Sequence, residues 1–406
     1  MSVGVATKSI GKRTVAGPAY ATDPRIEAAL REALARGEIG VQVAVCVGSE
    51  LVLEGWAGEA DLATGRPVDA ETLFPVFSVT KAITATALHL QAERGLIAYD
   101  APVAEYWPEF AAAGKGAITV EQILTHRSGI PQMPAGSTPE RLCDWDWISG
   151  ELAKLKPMVE PGTTNAYQSY SFGWLIGEIV RRTDPQQRDF GRFVREEIAD
   201  PLGIADLWIG VPRSELHRGA MLLSEIPEPK RKSETALSIA AKPDRGERDD
   251  VLYNRDDIRM ACLPGGGAVI NARSSARFFA LLANGGELDG VRLLSEDRLR
   301  YCTTPRPHAQ EPDQVLYGGN TVMPMGKGGF WLDGTVMGGG PGVLCHAGLG
   351  GSCGFADFET GLAVSICHNR LFGGFNVKSP DHPFYELGRA IRAVAAPFIE
   401  RRAARG

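Results

Sequence analysis

The sequence predicts an α/β domain interrupted by a mostly helical insertion, and three observations lead there. The chain opens with an amphipathic helical pattern followed by two strand-like segments. Its last third is Gly-rich and strand-like and closes on a long amphipathic helix. Between these ends lie short helical patches broken by Pro- and Gly-containing turns. The 406 residues are 44% hydrophobic and 23% charged, with 48 Gly and 26 Pro, a balance that excludes disordered and collagen-like chains. Length alone suggests two or three domains. The matching texture of the two ends joins them instead into one discontinuous α/β domain, residues 1–95 and 262–406, with the insertion at 96–261.

Each element has its own signal. Residues 1–21 read as a loose tail. Over 23–35, Ile26, Ala29, Leu30 and Leu34 recur at helical steps. β-branched residues over 41–47, a Gly48-Ser49-Glu50 turn and a second run over 51–57 read as a hairpin. Residues 79–94 form a helix with Ile83, Ala87, Leu88 and Leu90 on one side and Gly95 at the C-cap. Helical patches follow at 120–126, 140–155, 170–183 and 189–199. Residues 225–257, polar and short of apolar anchors, read as an exposed excursion. A helix over 276–284, strands at 328–331, 343–346, 353–358 and 362–367, and a helix over 383–403 complete the chain.

The net charge of −6 argues against a nucleic-acid binder and suits a small-molecule substrate. The seven cysteines, at 46, 143, 262, 302, 345, 353 and 367, are odd in number and lack CxxC spacing. Neither a disulfide framework nor a zinc site is expected, and no metal or cofactor is called for. No run reaches the ~18 apolar residues of a membrane helix. A cytoplasmic protein without membrane or nucleic-acid partners is expected, with a homodimer left open.

Three places carry chemistry. Ser78-Val79-Thr80-Lys81 puts a hydroxyl and an amine one helical turn apart. A serine needs a neighbouring base to become a nucleophile, and a lysine serves only if burial lowers its pKa. The spacing alone is weak, because Ser9-Ile10-Gly11-Lys12 repeats it in the tail. Its bland reading is a helix N-cap followed by a surface lysine. Tyr167-Gln168-Ser169 offers a phenol as proton carrier, against the commoner packing tyrosine. Cys345-His346-Ala347-Gly348-Leu349-Gly350-Gly351-Ser352 combines a histidine with glycines that let a ligand approach the backbone. The overlapping Gly350-Gly351-Ser352-Cys353-Gly354 matches the nucleophile-elbow pattern, with Asp357 and His368 as triad candidates. An elbow, however, needs a helix after it, and strand follows here. Trp145, Trp147, Phe330 and Trp331 are either pocket walls or core.

Taken in order, Ser78-Val79-Thr80-Lys81, the 123–130 stretch with Thr125-His126-Arg127-Ser128-Gly129, Tyr167-Gln168-Ser169 and His346-Ala347-Gly348 resemble the serine β-lactamase-related superfamily. The resemblance covers residues 20–400. Its class C-like branch holds family VIII carboxylesterases, D-amino-acid peptidases and natural-product acyltransferases. It implies a β-lactamase/transpeptidase-like fold, an antiparallel sheet flanked by N- and C-terminal helices. It also implies Ser78 as acylated nucleophile, Lys81 and Tyr167 as proton-transfer pair, and the N–H groups of Ser78 and Leu349 as oxyanion hole. His346, Gly348 and Ser169 would bind substrate, and His126 would be structural. His346 replaces the lysine of the family's Lys-Thr-Gly motif, and Ser169 replaces the asparagine of Tyr-x-Asn. Both changes weaken the grip on a β-lactam and favour ester cleavage. Acyl transfer to an alcohol or amine is the first alternative. β-Lactam or D-amino-acid peptide hydrolysis, and a non-catalytic binding module, stand behind it.

Overall fold

The computed structural model describes residues 19–224, 235–243, 248–332, 342–372 and 379–404. Along the chain run β1 (Ala19–Ala21), α1 (Pro24–Ala35), β2 (Gly40–Val47), β3 (Glu50–Asp61), β4 (Arg66–Pro67), β5 (Phe74–Pro75) and α2 (Thr80–Glu93). Then come α3 (Trp145–Lys154), α4 (Ser171–Thr183), β6 (Leu207–Ile209), β7 (Ala268–Ile270), α5 (Ala272–Ala283), β8 (Val343–Ala347), β9 (Cys353–Asp357), β10 (Leu362–His368) and α6 (Tyr385–Ala403).

The main sheet is antiparallel, in the order β1-β3-β2-β10-β9-β8, with β4 on β3. Strand β2 is buried along its whole length because both faces are covered. Val41, Val43 and Val45 point into a core shared with Ile26 and Leu30 of α1 and Leu387 and Ile391 of α6. Ala44 and Cys46 point the other way, into a core with Phe278 and Leu282 of α5. The strand's period of two thus decides which layer each side chain joins. The antiparallel sheet between terminal helices expected from the sequence is present. A small sheet, β5-β7-β6, lies beside it.

Helix α2 is buried all round, Thr80, Lys81, Thr84, Thr86, His89 and Gln91 included, rather than on one side as its pattern predicts. Its threonines make this tolerable by returning hydroxyls to backbone: Thr84 Oγ1 donates to the Pro264 carbonyl at 2.6 Å and Thr86 Oγ1 to Ala82 at 2.8 Å. Three further expectations are corrected. Residues 19–21 pair with β3 as an edge strand instead of trailing as tail. Residues 328–331 make a turn, with single bridges from Trp331 to Met325 and to Cys345. Within 225–257, the described 249–257 pack inward through Leu252 and Tyr253. Residues 225–234 and 244–247, and the Ser9–Lys12 tetrad, lie outside the described residues. Among the described residues, no helix is long and apolar enough to cross a membrane.

Candidate active site

Ser78 sits in a 3-10 turn, Phe77–Val79, between β5 and α2. Val76 N–H donates to the Ala268 carbonyl at 3.0 Å, and Ala268 N–H donates to Thr80 Oγ1 at 2.9 Å, so β7 grips the turn on both sides of Ser78. Phe77 carries φ +47°, a left-handed conformation that costs a non-glycine residue about 1–3 kcal/mol. Its ring rests on Tyr253, centroids 4.6 Å apart. The cap position of α2 falls on Val79, without a side-chain cap, so Ser78 is not spent as an N-cap.

Lys81 Nζ lies 3.1 Å from Ser78 Oγ and donates to the carbonyls of Ser169 at 2.7 Å and Gly265 at 2.6 Å. The side chain is fully buried, and this desolvation pulls its pKa down to about 7. The Gly265 carbonyl reaches Lys81 because Gly173 of α4 has no Cβ; one built there would stand 2.0 Å from the Gly265 nitrogen. The lysine is therefore a buried amine at a serine hydroxyl, not a surface cation.

Tyr167 is buried, and Lys81 Nζ stands 5.0 Å from its ring centroid. The ring packs on His126, centroids 4.6 Å apart. Its backbone N–H donates to Asp313 Oδ1 at 3.2 Å, and the next N–H, of Gln168, donates to His126 Nδ1 at 3.1 Å. Ser169 contributes its backbone carbonyl, through Lys81.

His346, on edge strand β8, is buried and stacks on Trp331 with centroids 4.7 Å apart. Its Nδ1 is 2.9 Å from the Ala347 carbonyl, which only accepts, so the ring carries its proton there. Burial, then the nearby Lys81 charge, pushes its pKa down to about 3, leaving a neutral imidazole. Gly348 follows, and a Cβ there would meet the Val76 carbonyl at 2.2 Å. Only glycine lets the β8–β9 turn lie this close to the turn that carries Ser78. Leu349, next in that turn, is 41% exposed.

The structure therefore brings together Ser78, Lys81, Tyr167, the Ser169 backbone and the turn after His346. It breaks the elbow alternative at its acid, not at its histidine: Ser352 is buried and its Oγ accepts from His368 N–H at 3.3 Å. His368 pairs with Glu38 at 2.9 Å, while Asp357 sits at the far end of β9. Of the aromatic candidates, Trp331 stacks on a site residue, His346. Trp145 packs on Phe190 and donates to Glu178, Trp147 lies against Arg141, and Phe330 stacks on His89. Sequence reasoning missed Gly265, Asp313 and Tyr253. A backbone acceptor and a distant carboxylate leave no local pattern, and Tyr253 lay in the segment read as exposed.

A family model described as beta-lactamase matches residues 26–382. The esterase/beta-lactamase LipL of Mycobacterium tuberculosis is 34% identical over 379 residues, which cover 89% of this chain and 84% of that protein. The crystal structure of a family VIII carboxylesterase superposes with a TM-score of 0.81 at 32% identity, over 91% of this chain and 97% of its own. A penicillin-binding protein homolog from Caulobacter crescentus gives 0.79 at 31%, over 92% and 100%.

Proposed function

The chain belongs to the beta-lactamase family, and from that premise we propose that it is a serine hydrolase that cleaves a carboxylic ester through an acyl-enzyme on Ser78. The observation that carries the proposal is the buried Lys81 amine, 3.1 Å from Ser78 Oγ with its pKa lowered to about 7. Two of its three Nζ contacts are carbonyls, which take two N–H donors and leave the nitrogen lone pair directed at the serine. Neutral Lys81 takes the Ser78 proton as Oγ attacks the carbonyl carbon. Tyr167 shares that proton and passes it to the leaving alcohol oxygen. The N–H groups of Ser78 and Leu349 receive the developing oxyanion. Water, deprotonated by the same pair, then attacks the acyl carbon, and the carboxylic acid leaves while Ser78 regains its proton.

His346, Gly348 and Ser169 form the substrate side. The neutral His346 supplies no cation for a substrate carboxylate, which favours uncharged esters over β-lactams. The test is turnover of a short p-nitrophenyl ester by the protein and by Ser78→Ala. Loss of about 10³-fold or more in kcat is expected for a covalent nucleophile, together with loss of a Ser78 adduct by intact mass. Equal turnover by both would remove the assignment. Adding an alcohol or amine acceptor separates hydrolysis from transfer by the products formed.

A further inference from the structure

We infer that Asp313 and His126 are positioning residues for Tyr167, acting through the backbone on either side of it. The inference rests on the reading of Tyr167 as a proton carrier. Residues 165–169 belong to no helix or strand, so their buried amides need partners from elsewhere. Three consecutive amides are held by two residues. Ala166 N–H donates to the His126 carbonyl at 3.0 Å, Tyr167 N–H to Asp313 Oδ1 at 3.2 Å, and Gln168 N–H to His126 Nδ1 at 3.1 Å. Lys81 then takes the Ser169 carbonyl, so the clamp ends on the catalytic amine itself.

Both clamps are built to stay rigid. The buried Asp313 Oδ1 also accepts from Val315 N–H at 2.9 Å and Leu316 N–H at 3.0 Å. Its segment is tied to the tyrosine segment a second time, by Gln314 N–H donating to the Asn165 carbonyl at 2.8 Å. Asn165 Nδ2 donates in turn to the carbonyls of His308 at 2.9 Å and Glu311 at 3.0 Å. His126 holds φ +56°, and from this conformation both its carbonyl and its ring nitrogen serve the one segment. As acceptor at Nδ1 the ring must be unprotonated there, and burial keeps it neutral. A misplacement of about 1 Å at a reacting group can cost about 10²-fold in rate. The clamp therefore acts on kcat through the phenol's position.

The test is a double-mutant cycle with a p-nitrophenyl ester, using Asp313→Ala, Tyr167→Phe and the pair. Asp313→Ala is expected to lower kcat about 10- to 100-fold with KM within about threefold. Asp313→Asn, which keeps an oxygen acceptor, is expected to recover most of that loss. In the Tyr167→Phe background the alanine change is expected to cost almost nothing further. The same factor lost in both backgrounds, or wild-type kcat for Asp313→Ala, would overturn the inference. Should the alanine variant not fold, His126→Phe, which keeps ring packing and removes the acceptor, takes its place in the cycle: a loss confined to the Tyr167 background supports the clamp, and an equal loss in both, or none, overturns it. Wild-type kcat for Tyr167→Phe would instead remove the role of Tyr167 itself.

Discussion

Among the described residues two lysines are buried, and they differ in one contact. Lys81 and Lys115 are both inaccessible to solvent, and burial lowers both pKa values, to about 7 and about 8. Both amines reach for backbone carbonyls. Lys115 Nζ donates to three, of Ala112 at 2.7 Å, Ala153 at 2.9 Å and Leu155. Lys81 Nζ meets two, and its third neighbour is the Ser78 hydroxyl. An ammonium has three donors and suits three acceptors; a neutral amine has two donors and one lone pair. Lys115 thus presents its amine to three carbonyl acceptors and ties residue 112 to the end of α3. At Lys81 the third position offers a hydroxyl proton in place of a lone pair, which suits the base proposed above. On the proposed mechanism desolvation is common to both lysines, and the partner at the last tetrahedral position sets them apart.

The comparison breaks most sharply by mutation. Lys81→Met is expected to lower kcat for an ester by about 10²- to 10⁴-fold, the range for a general base, while Lys115→Met stays within about twofold of wild type. Steady-state kinetics on both variants checks this. The pH profile sharpens it. Lys81 accepts a proton only when neutral, so kcat/KM is expected to rise through an acid limb near pH 7 and level above it. Lys115→Met should leave that limb where it is, which a pH series on the variant reads directly. The smallest effect is on stability. Lys115→Met leaves three carbonyls without their donor, with a loss of about 1–3 kcal/mol in urea unfolding.

Ser78 and Lys81 were legible because a helix turns their three-residue spacing into a shared face, and the apolar residues around them announced burial. Sheet and terminal helices were legible for the same reason: β2 and α1 carry clean periods of two and of 3.6. The rest is encoded at long range. The Gly265 carbonyl stands 184 residues from Lys81, and Asp313 stands 146 from Tyr167. A backbone acceptor has no residue type to recognise, and a single aspartate in a turn looks like any other. Residues 249–257 misled because their inward side is narrow, resting on Leu252 and Tyr253 amid charges. The φ of +47° at Phe77 is invisible in sequence, since nothing about a phenylalanine signals a left-handed backbone.

The order of strands in the main sheet has a consequence in time. β2, from residues 40–47, is zipped to β10, from residues 362–368, and the turn beside Ser78 follows β8 at 343–347. A ribosome therefore delivers Ser78 and Lys81 long before the strands that complete their surroundings. Long-range pairing of this kind is slow to form. On the mechanism proposed above, ester turnover during refolding is expected to report docking of the C-terminal strands.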